Sequence, residues 1–275
     1  MPVTPAGTFH ATTGQGFPLV LMHGVGMTHE MWNRQAGDLA SHFRVVTYDL
    51  LGHGRSPKPP GPYAFSDFVN QLRELADHLE LDLFGLAGFS FGGMVARAAA
   101  LAMPERIAAL AVLNSPHGRT DAERADIRKR LEQVRAGGPA ATVDVALQRW
   151  FTTEHAESHP EDLALVRQWV MANDRQGYAA AYERLVEGDA ELADPIRNIA
   201  CPSLFMSCEH DYGNSPAMAE RMAGLVRNAR AVIVPGLRHM GLFEDPAPFN
   251  AALIDFFGAT LTHSSGDGQA ASHHG

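Results

Sequence analysis

The residue whose surroundings most suggest chemistry is Ser90. It sits in Gly88-Phe89-Ser90-Phe91-Gly92, between the apolar run Leu83 to Phe89 and an alanine-rich stretch of helical pattern. A serine on so tight a strand-to-helix turn projects its hydroxyl away from the backbone and has the unpaired N–H groups of a helix start beside it. Glycines flank it because a side chain at either place would collide with the neighbouring strand or helix. A hydroxyl is a weak nucleophile until a base removes its proton, and the base needs a carboxylate to orient it. Downstream, the run Ser203 to Ser207 leads into Cys208-Glu209-His210-Asp211, and Ala231 to Val234 leads into Pro235-Gly236-Leu237-Arg238-His239. Asp211 is the leading acid, Glu209 the second choice, and His239 the expected base. The chemistry these three types support in this order is acyl transfer.

Upstream, His23-Gly24-Val25-Gly26 follows the run Phe17 to Met22. Such a turn aims backbone N–H groups at a nucleophile, so Val25 and Phe91, the residue after the serine, are the expected oxyanion donors. His23 and His53 are expected to be structural. Trp150, Phe151, Met171 and Met240 are candidates for an apolar pocket wall, and Met94 and Leu242 for core or pocket wall. Arg119, Arg149 and Arg238 are candidates to hold a substrate carboxylate, because a guanidinium matches that group with two parallel hydrogen bonds. No metal site is expected. No dinucleotide fingerprint or phosphate-loop lysine motif occurs, so no cofactor is expected.

These residues require elements to position them. The short apolar runs Phe17–Met22, Arg44–Leu50, Leu83–Phe89, Ile107–Leu113, Ser203–Ser207 and Ala231–Val234 have the continuous apolar character of parallel strands covered on both faces. Helical patterns alternate with them. Phe68, Leu72, Leu75 and Leu79 recur at helical spacing, with Ser66 placed to cap the start. A last helix is expected from Pro246 to Phe257. The alternation predicts an α/β fold with a mostly parallel central sheet flanked by helices. It breaks between residues 119 and 195, where Asp121–Arg135, Ala140–Phe151, Glu161–Asn173 and Gly177–Glu187 all read as helices. The division predicted is a core of 1–118 and 196–262, an inserted helical cap of 119–195, and a disordered tail of 263–275.

The whole chain bounds the partners. It has 275 residues with 45% hydrophobic content, enough for one large α/β domain. Its formal charge of -9 argues against nucleic acid. No run approaches the roughly 20 apolar residues of a membrane helix. Met1-Pro2-Val3-Thr4 does not begin a charged and then apolar leader. Two cysteines, Cys201 and Cys208, are too few for a disulfide framework, so reduced thiols and a cytoplasmic location are expected. A homo-oligomer is compatible with these bounds.

The residues together resemble the α/β-hydrolase superfamily over Phe17 to about Gly258, including Asp49-Leu50-Leu51-Gly52-His53-Gly54-Arg55-Ser56. Within it, Met31-Trp32, Arg149-Trp150-Phe151-Thr152 and the Pro235–His239 run are similar to 3-oxoadipate enol-lactonases and related small carboxylester hydrolases. A serine rather than an aspartate at the elbow departs from the dehalogenases and epoxide hydrolases of that superfamily. The resemblance implies a capped serine hydrolase acting on a small ester or lactone through Ser90, Asp211 and His239. The same triad would serve a hydrolase of carbon–carbon or amide bonds in ring-fission-type products. A ligand sensor on the same fold is the reading from another class.

Overall fold

Runs of apolar residues form the inner strands of this protein because both faces of its sheet are covered there. The computed structural model describes residues 2–261. The tail predicted for 263–275 lies outside those residues. In chain order the elements are β1 (His10–Thr13), β2 (Pro18–Met22), α1 (Asn33–Ala40), β3 (Arg44–Tyr48), α2 (Phe65–His78), β4 (Phe84–Phe89), α3 (Phe91–Ala102) and β5 (Ile107–Leu113). A helical block follows, made of α4 (Asp121–Gly137), α5 (Val143–Trp150), α6 (Thr153–Ser158), α7 (Pro160–Met171) and α8 (Arg175–Ala193). The chain then returns to the sheet through β6 (Ser203–Cys208), α9 (Pro216–Leu225), β7 (Ala229–Val234), α10 (Gly241–Glu244) and α11 (Pro246–Leu261).

Among the described residues the sheet has seven strands in the order β1-β3-β2-β4-β5-β6-β7. All neighbours are parallel except β1, which pairs antiparallel with β3, His10 opposite Tyr48. The register sets Met22 beside Gly88 and Phe89 beside Leu113. The loops leaving β2, β4 and β5 therefore emerge on one edge, the carboxyl edge where open parallel sheets place their ligands. Large side chains such as Trp32, Tyr48, Phe68, Phe84, Phe205, Phe249 and Phe257 are fully buried around the sheet. No helix among the described residues is long and apolar enough to cross a membrane.

Three local departures from the sequence reading have identifiable physical causes. β1, His-Ala-Thr-Thr, is not among the expected strands. It is an edge strand with three exposed residues, so it carries no apolar run. Ser66 does not cap α2. Ala64 is the cap residue, and the Asp67 carboxylate accepts from its N–H at 2.8 Å, so the helix begins two residues earlier than a Ser66 cap would place it, at Phe65, and contains Ser66. α6 is also additional. Its six residues, with none buried, have no apolar period, and it starts where Thr152 Oγ1 accepts from His155 N–H at 3.2 Å.

Candidate active site

The elbow is built by close backbone approach. A Cβ at Gly88 would lie 2.3 Å from Gly92 O, and one at Gly92 would lie 2.5 Å from both Met22 O and His23 O. Glycine at both positions lets β4, α3 and the end of β2 meet. Ser90 sits between β4 and α3 at φ 53°, a conformation non-glycine residues rarely adopt. Its N–H donates to Leu113 O at 2.8 Å, which ties the strained turn to β5. Phe91 is the first residue of α3, a position whose N–H has no partner within the helix.

Asp211 and His239 meet in the loops beyond β6 and β7. His239 Nδ1 lies 2.6 Å from Asp211 Oδ2, so the ring donates there and keeps Nε2 as an acceptor. Asp211 also accepts from Asn114 Nδ2 at 3.0 Å through the same oxygen, and from Gly213 N and Asn214 N at 3.1 and 3.0 Å through Oδ1. Burial would raise its pKa, but the charge and hydrogen bond of His239, then the Asn114 and Asn214 bonds, hold the carboxyl below the usual aspartate value. Glu209 takes a different place. It is half exposed and accepts the Gly236 N–H at 2.8 Å, bracing the turn after β7.

Ser90, Asp211 and His239 line one cavity of about 630 Å³, counting its open mouth, together with Val25, Arg119, Arg130, Arg149, Trp150 and Tyr182. Among the described residues, Ser90 Oγ makes no hydrogen bond to the imidazole, and His239 Nδ1 donates to Asp211, with Asn214 Nδ2 packed 3.2 Å from the same nitrogen. The ring of His239 packs against Phe89 and Trp150, with centroids 4.8 and 5.9 Å away.

The turn after β2 is held by His23. Leu50 N–H donates to its Nε2 at 2.9 Å, so Nδ1 carries the proton and donates to Gly24 O at 2.8 Å. Burial lowers its pKa to about 4, against the opposing pull of Asp49, and lowers that of His53 to about 3. Both rings sit edge-on, 5.1 Å apart, among loop backbone. Burial also pushes the thiols of Cys201 and Cys208 up to about 11 and 12. No group of three or more His, Cys, Asp or Glu among the described residues is placed to hold a metal ion.

Several pocket candidates lie elsewhere. Phe151 is buried with its ring stacked on His155 and edge-on to Phe243. Met240 is fully buried, and its N–H donates to Trp150 O at 2.9 Å. Neither is among the residues that line the cavity, where Trp150, the last residue of α5, stands instead. Met94 and Leu242 are fully buried core residues, and Met171 is exposed. Arg238 donates to Gln148 O and Phe151 O, both at 2.9 Å, and ties its loop to the end of α5. Arg119 and Arg149 do line the cavity. Arg130, Tyr182 and Asn114 were not singled out from the sequence. The first two lie on helices whose weak amphipathic pattern gives no inward face, and Asn114 shows its importance only through its neighbours in space.

Comparison with known proteins agrees with this architecture. A family model described as alpha/beta hydrolase fold matches residues 18–246. The chain is 31% identical over 240 residues to the (E)-2-((N-methylformamido)methylene)succinate hydrolase of Acinetobacter baylyi, covering 87% of this chain and 90% of that one. It is 27% identical over 246 residues to 3-oxoadipate enol-lactonase 2 of the same organism, covering 89% and 90%. Among solved structures, the enol-lactonase from Burkholderia xenovorans is similar with a TM-score of 0.85 and 29% identity, over 91% of this chain and 96% of that one.

Proposed function

Because the chain belongs to the α/β-hydrolase fold family, we propose that it is a cytoplasmic serine hydrolase that cleaves a small ester or lactone, of which an enol-lactone is the leading example. The observation that carries this reading is the 2.6 Å His239–Asp211 pair opening on the same cavity as Ser90. His239 takes the Ser90 proton through Nε2 as Oγ attacks the carbonyl. Asp211 fixes the tautomer and stabilises the imidazolium. The N–H groups of Val25 and Phe91 hold the oxyanion. The tetrahedral intermediate collapses to an acyl-enzyme, and His239 returns its proton to the leaving oxygen. His239 then activates water, which releases the acid and restores Ser90.

The helices α4 to α8 act as the cap in this reading. Support comes from the cavity wall, to which α4 gives Ile127 and Arg130, α5 gives Arg149 and Trp150, and α8 gives Tyr182 and Leu185. The similarity to two enol-lactonases favours a lactone or ester substrate. The relative named for an N-methylformamido compound favours one second reading, an amide-like substrate handled by the same residues.

The test is a panel of enol-lactones, aryl esters and amides with wild type and Ser90→Ala. Ser90-dependent turnover of esters or lactones above amides, with covalent labelling of Ser90 by a fluorophosphonate, is the expected result. Undiminished turnover or labelling in Ser90→Ala would remove the serine from its role.

A further inference from the structure

Acyl transfer by Ser90, His239 and Asp211 does not account for the charge of the cavity they share. Arg119, Arg130 and Arg149 all line it. They come from three places: Arg119 precedes α4, Arg130 lies on α4, and Arg149 is the next-to-last residue of α5. Among the described residues, no salt bridge joins any of the three to a carboxylate. Their neighbours on α4 behave differently, since Arg128 pairs with Glu187 at 2.8 Å and Arg135 with Glu132 and Glu183 at 2.6 and 2.9 Å. In a chain of net charge -9, unpaired arginines gathered at one cavity run against the general balance.

Arg119 is held in place by partners other than ion pairs. It is buried, and Nη1 donates to Leu185 O at 3.1 Å. The buried Asp189 beside it uses its two oxygens on the N–H groups of Gly118 and Arg119, at 3.0 and 2.8 Å. Arg97 Nη2 donates to Pro116 O at 2.7 Å, and Arg221 Nη1 to His117 O and Gly118 O at 3.0 and 2.9 Å, so the segment carrying Arg119 is braced from three sides. The charges also sense one another. Burial, and then the charge of Arg130, holds the Arg149 guanidinium below its ordinary value. At Arg119 burial again leads, Asp189 opposes it, and Arg130 adds to the lowering. Bringing like charges together in a partly desolvated cavity costs free energy in the empty protein, and an anionic ligand offsets it.

We propose that Arg119, Arg130 and Arg149 bind the two free carboxylates of a dianionic substrate and so orient its third, esterified or lactonised, carbonyl over Ser90. The number of carboxylates follows from the charge of the wall. Asp211 is the single acid that lines the cavity. With the imidazole neutral, it offsets one of the three positive charges, and two carboxylates offset the remainder. Guanidinium suits the task because it presents paired N–H donors in a fixed plane. This inference rests on the serine-hydrolase reading of the same site.

The experiment uses three mono-p-nitrophenyl esters, of butyric, glutaric and tricarballylic acid, carrying no, one and two free carboxylates. Wild-type kcat/KM should rise along that series, by about tenfold or more per carboxylate, as expected for charge-assisted hydrogen bonds. Arg130→Gln and Arg149→Gln should lower kcat/KM for the tricarballylate ester by about tenfold more than for the butyrate ester. Arg130→Lys and Arg149→Lys should recover part of the difference. Binding of tricarballylate to Ser90→Ala, followed by calorimetry, should weaken by a similar factor when Arg130→Gln is added. Equal wild-type rates on the three esters, or equal losses on all of them in the glutamine variants, would overturn the anion site while Ser90-dependent turnover left the hydrolase reading standing. If no ester is cleaved but tricarballylate binds in an Arg130-dependent way, the hydrolase reading falls and the anion site stands.

Discussion

Asn114 Nδ2 donates to Asp211 Oδ2 at 3.0 Å, the same oxygen that accepts from His239 Nδ1 at 2.6 Å. Asn114 directly follows β5 and adopts φ 46°, a left-handed conformation that asparagine tolerates better than most residues. The end of β5 thus holds the carboxylate that β6 supplies to the loop of β7. Removing the amide should raise the pKa of Asp211 and loosen the imidazole. A hydrogen bond to a charged group contributes about 1.5–3 kcal/mol, so Asn114→Gly, which keeps the backbone conformation, should lower kcat/KM on an aryl ester about tenfold or more. Asn114→Ala should lose at least as much. Wild-type kcat/KM in Asn114→Gly would show that the amide does not position Asp211.

The two acids beyond β6 separate cleanly. Asp211 is buried against the imidazole, while Glu209 is half exposed and holds a backbone N–H of the next turn. Asp211→Asn should lower kcat by about four orders of magnitude through the wrong tautomer. Glu209→Gln keeps an acceptor for Gly236 and should retain kcat within about threefold, since a partly exposed hydrogen bond is worth about 1 kcal/mol or less. Steady-state kinetics on one chromogenic ester decides the pair, and a crippled Glu209→Gln beside an active Asp211→Asn would reverse the assignment.

The different legibility of these features in the sequence has physical causes. Parallel strands such as Ile107–Leu113 are covered on both faces and therefore read as unbroken apolar runs, whereas β1 is a polar edge visible only once β3 is beside it. The elbow was legible because three backbones approach there and only glycine allows it. Asp211 and His239 were legible because they follow strands whose carboxyl ends share an edge. The wall of the cavity was legible only in part. Arg149 and Trp150 follow one another, yet which side chains of α4 and α8 turn inward depends on how those helices pack, and their sequences have little amphipathic contrast. The place of Phe151 was not legible, because an aromatic at a helix end can face the cavity or the core, and its ring lies against His155 and Phe243.

Trp150 and Phe151 should therefore differ in kind when shortened. Trp150 lines the cavity with its ring 5.9 Å from that of His239, so Trp150→Ala should change KM and the order of preferred acyl groups with a small loss of stability. Phe151 is 1% exposed, and truncating a buried phenylalanine costs about 3–5 kcal/mol. Phe151→Ala should lower the urea midpoint sharply, while the surviving folded fraction keeps the substrate order of wild type. A shifted substrate order in Phe151→Ala with unchanged stability would return that ring to the pocket wall.

The buried histidines behind the site predict how the fold responds to acid. Burial lowers His23 to about 4 and His53 to about 3, from 6.5. Between these values and 6.5 the unfolded chain binds protons that the folded chain does not, so stability is lost as pH falls through that window. A drop from 6.5 to about 4 corresponds to about 3 kcal/mol for a fully buried ring. The direction is opposite to that of a histidine stabilised by a carboxylate partner, whose contribution is lost as pH rises. Asp211 and Asp49, both held below 3.8, add losses only at lower pH, with Asp49 at about 2. Urea unfolding free energy should thus decrease steadily from pH 7 to pH 4.5. His53→Asn removes one of these titrations, to which burial adds the lowered His117 and His10, so its plot of unfolding free energy against pH should be shallower between pH 4.5 and 6.5, whatever its stability at pH 7. Parallel plots for wild type and His53→Asn would show that His53 takes up its proton equally well in the folded and unfolded chain.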